Sequence, residues 1–414
     1  MKIEIINVGN ELLSGKTINT NASYLCSELL KKGYLVNYTT VSPDDEKELK
    51  LGIKQALKRA DLIIITGGLG PTLDDNTKKI VCDLLKMPME YREEIALDIE
   101  KRFGKIDGIN VQSMIPSKSF VFKNEVGTAP GFGFLQSGKG IILLPGVPVE
   151  LIKMFQWHCL PFIQKHFPIE NKVYQEIINV CLLEEIKVDA VIRTCSIPKD
   201  VTIGIYPNHG VVGVSITTEA KEKIEAEKKI LNVKTQIISQ LQDYIFFSDE
   251  GKIEEAVHNI FLKRDEKLAF AESCSGGVLS SKITAIPGAS KYFLGSFVVY
   301  SNDLKKNILK VSEKTLFEKS AVSKEVVKEM INGIFKITDA SYAVAISGIA
   351  GPSGGSDEKP VGTVCLAVAK RGEEIDAGIL HLKGDRSLIV KYASNIAFGI
   401  LFRKLAHNLI YFEE

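Results

Sequence analysis

Residues Asp61 to Thr77 read DLIIITGGLGPTLDDNT: a short apolar run stops at a pair of glycines and opens into a loop that ends among helix-capping residues. Such a run, bounded by turn residues, is a buried strand. A strand followed by a glycine-rich loop and a helix is the unit of parallel sheets wound with helices. The flanking segments repeat the unit. IEIINVG is a strand ending in Gly9, and Asn19 or Thr20 caps a helix with Tyr24, Leu25, Leu29 and Leu30 on one side. LVNYTTVS is the next strand, followed by a helix from Glu46 to Ala60. Ligands of these sheets bind at the carboxyl ends of the strands, where GNELLSG, SPDD and GGLGPTLDD lie.

The third of these loops carries the most chemistry. Gly67, Gly68 and Gly70 let backbone amides approach a phosphate, and the helix starting near Asn76 adds its positive end. Asp74 and Asp75 would repel that anion unless a divalent cation stood between, with Glu150 of LPGVPVE as a further oxygen ligand. A plainer account has Asp75 or Asn76 capping the next helix and the glycines turning the chain. Two further loops, GTAPGFGF from Gly127 and LPGVPVE from Leu144, favour a built site.

Bulk properties limit the rest. With 414 residues the chain exceeds one ordinary core, and its 52 basic and 51 acidic side chains nearly cancel. No bulk electrostatic partner such as duplex DNA is implied, and nucleic acid is not the expected ligand. The start, MKIEIINVG, has no signal-peptide pattern, and no apolar run reaches membrane-spanning length. Seven scattered cysteines without metal-ligand spacing suit a reduced cytoplasm.

The texture changes between about Val173 and Asp249. EIINVCLL and VTIGIYPNHGVVGVSITT read as strands, the latter folded at PNHG, and a charged helix runs from Ala220 to Tyr244. GVVG at Gly210 to Gly213 matches the GXXG of a nucleic-acid-binding loop, but it lies within a strand pair and reads as a turn. The last segment is a second α/β unit. It contains the strand KLAFA, then AESCSGG, a helix from Val278 to Thr284, the strand FLGSFVVYSN, helices around Leu304 and Val326, and the strand YAVAISG. The loop IAGPSGGSDEKPVG, two further strands and a final helix from Asp385 complete it.

In AESCSGG a strand gives way to a helix, so the hydroxyls stand where orphan amides favour an oxyanion. Three accounts of Ser273, Cys274 and Ser275 remain open. A serine caps the helix while Cys274 packs inward; or Cys274 is a dipole-activated nucleophile, though His258, His381 and His407 stand outside the glycine-rich loops; or a serine is the nucleophile with a lysine as base. Tyr300 and Lys305 of YSNDLKKN, after another strand end, are candidates for the last scheme.

Together GNELLSG, TGGLGPTLDD, GTAPGF and LPGVPVE, followed by AESCSGG, IPGAS, VVYSNDLKK, AVSKE, ISGIAGPSGGSDEKPVGTV and GDR, resemble the CinA family of competence/damage-inducible proteins over nearly the whole chain. Serines at Ser275 and Ser347 stand where that family usually or often has threonine. The resemblance implies a multidomain α/β chain: a three-layer domain like those of molybdopterin biosynthesis over 1–170, a small KH-like α+β domain over 171–250, and an α/β deamidase domain over 251–414.

It further implies a bifunctional hydrolase of NAD by-products; a homodimer is expected because paired α/β domains often build sites at subunit contacts. The C-terminal domain would deamidate nicotinamide mononucleotide without a cofactor: Ser273 attacks, Lys305 takes the proton and Tyr300 tunes or relays it. Ser275, Gly276, Gly277, Ser347, Gly348, Gly351 and Arg386 would bind the substrate. The N-terminal domain would cleave ADP-ribose at its pyrophosphate with cobalt or magnesium on Asp44, Asp74, Asp75 and Glu150. Asn10, Glu11, Asn21, Gly67, Gly68, Gly70 and Thr72 would contact that nucleotide. The rival expectation is a ligand-binding accessory protein without N-terminal catalysis, recruiting a competence or recombination partner.

Overall fold

Side chains alternate in size along the central C-terminal strands, and this alternation sets the layers. The computed structural model describes residues 1–72, 75–248 and 250–412. They separate into two compact units, Met1–Tyr174 with Glu219–Glu227, and Gln175–Thr218 with Lys228–Glu414.

In the first unit β1 (Ile3–Val8), β2 (Val36–Ser42) and β3 (Leu62–Thr66) are parallel. A small ribbon, β4 (Met89–Tyr91) with β5 (Met114–Pro116), stands outside the main sheet. The strands β6 (Phe120–Phe122), β7 (Gly131–Gln136) and β8 (Lys139–Leu144) complete the order β2-β1-β3-β8-β7-β6, with β8 parallel to β3 and β7 antiparallel to β8. Successive residues face opposite sides. Ile3, Ile5, Leu62, Ile64, Ile142 and Leu144 pack in one core with the helix Thr20–Lys31 and the segment Leu151–Ile163. Ile6, Val8, Ile63, Ile65, Ile141 and Leu143 pack in a second with the helices Glu46–Arg59 and Thr77–Leu85. This is the expected three-layer arrangement.

The strands β9 (Lys172–Cys181), β10 (Val201–Asn208), β11 (Val211–Ala220) and β12 (Ile245–Phe246), which belong to the second unit apart from residues 172–174 and 219–220, form a sheet in the order β10-β11-β9-β12. Gly210 lies at the β10–β11 turn with φ of 87°, so the GVVG stretch begins in a hairpin, not in a helix–loop–helix. The charged helix occupies Lys223–Leu241, shorter at both ends than the sequence suggests.

The C-terminal sheet contains β13 (Leu268–Glu272), β14 (Phe293–Val298), β15 (Tyr342–Gly348), β16 (Thr363–Lys370) and β17 (Asp376–His381), ordered β14-β13-β15-β16-β17. Leu268, Phe270, Tyr342, Val344, Ile346, Val364, Leu366 and Val368 face the helices Ile253–Phe261 and Arg386–His407. The alternate positions, Ala269, Ala271, Ala343, Ala345, Cys365, Ala367 and Ala369, pack with the helix Lys324–Ile337. Small side chains on that face let the helix approach closely. Gly333 on it would place an added Cβ 2.2 Å from the Leu309 carbonyl, so only glycine lets the helix Asn302–Leu309 pack there. That contact positions Lys305.

Two local readings are corrected. The strand β13 continues through Glu272 because its pairing with β15 runs to Ile346. A helix at Glu313–Lys319, capped by Ser312, was not read from the sequence.

Candidate active site

Two parallel strand ends make the C-terminal site. Since β13 and β14 are parallel neighbours, the residues that follow them emerge side by side. Ser273 follows β13. Ser301 follows β14 and caps the helix Asn302–Leu309 by accepting from the Leu304 amide, which sets Lys305 on the buried face of the first turn. Lys305 is 1% exposed, and its amine lies 2.9 Å from Ser273 Oγ. It also donates to the carbonyls of Val299 at 3.0 Å and Tyr300 at 3.1 Å.

Burial draws the Lys305 pKa below the ordinary 10.5, with a smaller opposing pull from Cys274. The charged amine donates to Ser273 Oγ and to both carbonyls; once it has lost a proton, two hydrogens can keep the carbonyls and the lone pair is left for the serine hydroxyl. That is the geometry a general base needs. Cys274 is the opposite case. It packs in the apolar core, and burial pushes its thiol up to about 12, so it is no nucleophile at neutral pH.

Several of the positions expected to bind the substrate already have partners within the protein. Gly276 N bonds the Ser273 carbonyl, and Gly277 N bonds Glu272. The glycines at Gly276 and Gly277 hold φ of 62° and 103°, a turn that other residues rarely adopt. The Ser275 hydroxyl donates to Glu272 at 2.8 Å. A side-chain carboxylate thus fills the helix N-terminus that the sequence reading left for an anion. Ser347 likewise gives its hydroxyl to the Ala321 carbonyl at 2.7 Å, and Gly348 pairs with Val364 across the sheet. The Ser347 hydroxyl is thus committed to the main chain, and Gly348 ends the strand beside it.

Tyr300 meets Lys305 through its main chain. Its ring is 58% exposed, its hydroxyl accepts from Arg386 Nη2 at 3.0 Å, and only its carbonyl meets Lys305. Arg386 opens the final helix behind the Asp385 cap, and its other guanidinium nitrogen donates to Gly351 at 2.9 Å. An exposed guanidinium therefore joins the IAGPSGG loop to the strand end that carries Tyr300. Lys359, absent from the sequence reading, ties this loop to the Lys319, Ser320 and Val322 positions at 2.7, 2.7 and 2.8 Å. Its signal was a lone lysine in a loop of glycine, serine and proline.

In the first unit Glu11, Asp44, Gly67, Gly68, Gly70, Asp75 and Glu150 line one cavity of about 500 Å³. Gly68 has φ of 67°, and an added Cβ would fall 2.1 Å from Thr77 Oγ1. Asp44 accepts from the Asn10 amide at 2.8 Å; the neighbouring helix is capped by Asp45 instead. Asp75 accepts from the amide and hydroxyl of Thr72, so this threonine holds the loop. Asn10 contributes its backbone to Asp44, and Asn21 lines a smaller adjoining cavity and donates to the Gly146 carbonyl at 2.7 Å.

Glu150 accepts from Asn124 at 2.7 Å, and burial raises its pKa despite that bond. Asn124 also binds Ala129, Val126 and Gly127, which makes it the pin of the GTAP loop. Gln112, 1% exposed, bonds Thr128 and leaves its carbonyl oxygen unpartnered beside the cavity it lines. Neither Asn124 nor Gln112 has a motif that marks it in sequence.

Asp74 lies outside the described residues. Among the described residues no three His, Cys, Asp or Glu side chains stand close enough to hold a metal ion. Among the described residues, Asp44, Asp75 and Glu150 line the cavity without converging on one point. Also among the described residues, no helix is long and apolar enough to cross a membrane.

Fold and sites define a multidomain α/β protein with a glycine-loop cavity in one unit and a buried serine–lysine pair in the other. Family models match in the same order: a "Probable molybdopterin binding domain" over residues 4–165, a "Damage-inducible protein CinA KH domain" over 175–246 and the "CinA C-terminal domain" over 250–405. A CinA-like protein of Dictyoglomus turgidum is 38% identical over 416 residues, covering 98% of this chain and 99% of its own. One from Fervidobacterium nodosum is 37% identical over 407 residues, covering 97% and 98%. The chain belongs to the CinA family. Solved structures include a CinA protein of Thermoplasma acidophilum, 34% identical, covering 40% of this chain and 96% of its own with a TM-score of 0.37. The competence damage-inducible protein A of Klebsiella pneumoniae is 36% identical, covering 37% and 96% with a TM-score of 0.36.

Proposed function

We propose that the C-terminal unit hydrolyses the amide of nicotinamide mononucleotide to the carboxylate, releasing ammonia. The observation that carries this reading is the buried amine of Lys305 at 2.9 Å from Ser273 Oγ, oriented by two carbonyls. Ser273 Oγ forms a bond to the amide carbon while its proton passes to Lys305. The tetrahedral intermediate collapses, the C–N bond breaks, and Lys305 returns the proton to the departing nitrogen as ammonia forms. Water then repeats the sequence on the acyl-serine: Lys305 accepts its proton, the carboxylate forms, and the proton goes back to Ser273. While Lys305 carries the proton, its charge lies beside the developing oxyanion and stabilises it.

Arg386 and the Gly351 loop suit the substrate's phosphate, because a guanidinium fork pairs with two phosphate oxygens. Binding there would exchange the Tyr300 hydroxyl or the Gly351 carbonyl for a charged partner. The family models support an enzyme-type chain, and the amidase chemistry rests on the serine–lysine geometry. Ammonia release from nicotinamide mononucleotide by wild type and by Ser273→Ala tests it.

For the N-terminal unit we propose that the glycine-loop cavity binds ADP-ribose through its pyrophosphate. The glycine backbone at 67–70 supports a phosphate-bearing ligand, and the unpartnered Gln112 oxygen, an acceptor, supports a hydroxyl or amino donor on the same ligand. Cleavage with cobalt or magnesium and simple binding make different predictions for one assay: calorimetric binding in chelator, followed by turnover when either ion is added. Binding that persists without turnover in both ions favours the accessory-protein reading.

A further inference from the structure

Five donors converge on one carboxylate beside the proposed nucleophile. Glu272, 0% exposed, accepts from Ser275 Oγ at 2.8 Å, Gly277 N at 3.1 Å, Leu279 N at 2.9 Å, Ser280 N at 3.0 Å and Ser296 Oγ at 2.9 Å. A polar side chain buried this completely needs its acceptor sites filled, and here they are filled from two different elements. Four donors belong to the turn and helix that follow Ser273. The fifth, Ser296, belongs to β14. The main chain of Glu272 adds a sixth link, its carbonyl accepting from Val299 N at 2.8 Å.

These links span both halves of the serine–lysine pair. Ser273 is covalently next to Glu272 and is held on the other side by its own amide bond to Ile346, at 3.0 Å. Lys305 is aimed by the carbonyls of Val299 and Tyr300, which directly follow the strand that Ser296 and Val299 fasten to Glu272. Shifting β14 relative to the 273–277 turn would change the distance between Ser273 Oγ and the Lys305 amine. The β13–β14 ladder opposes that shift through the main chain, and the Glu272 carboxylate adds the side-chain link that ties β14 to the 273–277 turn itself.

We infer that Glu272 is a positioning residue, clamping the turn after β13 to β14 so that Ser273 and Lys305 stay in register. This inference rests on the serine–lysine reading above. Glu272 touches neither the reacting atoms nor the substrate; it acts through the two residues that do. A carboxylate is required because every partner is a donor. An amide of the same shape would set its NH₂ against backbone N–H groups, and aspartate is one methylene too short to reach both elements.

The test uses the full chain and two readouts: the rate at which a fluorophosphonate modifies Ser273, followed by mass spectrometry, and the separate kcat and KM for nicotinamide mononucleotide. Glu272→Gln is expected to slow Ser273 modification and lower kcat by about 10–100-fold, with KM within about twofold, the size expected for a misplacement of order 1 Å. Glu272→Asp should not rescue. Should Glu272→Gln fail to fold, Ser296→Ala removes one donor from β14 and leaves the rest in place. It should lower both rates by about threefold to tenfold with unchanged KM and circular dichroism. Folded variants that are modified and turn over at the wild-type rate overturn the inference alone. A wild type that is neither modified at Ser273 nor active overturns the serine–lysine reading, and the inference with it.

Discussion

The amine of Lys305 sits 2.9 Å from the hydroxyl of Ser273, although 32 positions separate them in the chain. Parallel pairing of β13 with β14 brings them together, and the Ser301 cap fixes the turn on which the lysine lies.

Burial holds the Lys305 pKa below 10.5, and this has two consequences of defined sign. The base form is the active one, so kcat/KM should rise with pH and reach its plateau below pH 10.5. An acid limb centred at or above 10.5 would contradict it. For stability, the unfolded lysine binds its proton more readily than the folded one. Between 10.5 and the folded pKa, stability therefore falls as pH drops, and below that window it is flat with respect to this group. Lys305→Met should remove that slope from urea titrations run across alkaline pH, and should abolish turnover.

Cys274→Ala should retain most of the ammonia release, because the thiol is buried and its pKa is near 12. The loss should be one of stability, of order 1 kcal/mol for a small core cavity, read as a shift in denaturation midpoint. Inactivation of native protein by iodoacetamide at pH 8 through Cys274 would contradict this account.

Arg386→Ala should raise KM for nicotinamide mononucleotide by about 10–100-fold, the equivalent of one or two charge-assisted hydrogen bonds, and change kcat less. The same variant and wild type should handle nicotinamide riboside, which has no phosphate, with similar KM. An equal loss on both substrates would assign Arg386 to fastening the Gly351 loop and Tyr300, and not to the phosphate.

Gly68→Ala should abolish ADP-ribose binding by calorimetry while leaving nicotinamide mononucleotide turnover intact. The new Cβ meets Thr77 Oγ1 at 2.1 Å, and the φ of 67° adds about 1 kcal/mol of backbone strain. Retained binding would place the nucleotide away from this loop.

Most of the fold was legible because the strands are short apolar runs closed by glycine, and because large and small side chains alternate along β13, β15 and β16. The Ser273–Lys305 pairing was legible only as a conjecture. Strand order, which makes the two loops neighbours, is a long-range property that local periodicity does not carry. The role of Glu272 was hidden for a related reason. A helix N-terminus advertises free amides, but Glu272 reaches forward to take three of them, and nothing in AESCSGG alone says that its glutamate turns inward.

Tyr300 shows a different limit. Its place after a strand end was correct, yet side-chain exposure decides that its hydroxyl meets Arg386 while its carbonyl meets Lys305. In the N-terminal unit the glycines and carboxylates do line one cavity, as their loops suggested. Their failure to converge on a cation among the described residues depends on side-chain commitments, such as Asp44 to Asn10 and Glu150 to Asn124, that spacing does not encode.

The most direct test of the account is ammonia release from nicotinamide mononucleotide by wild type and Ser273→Ala, each with chelator present and with folding checked by circular dichroism. The account predicts wild-type release that survives the chelator and a loss of about 10³-fold or more in the variant. Release by the folded variant at the wild-type rate, or none from either protein, would contradict it.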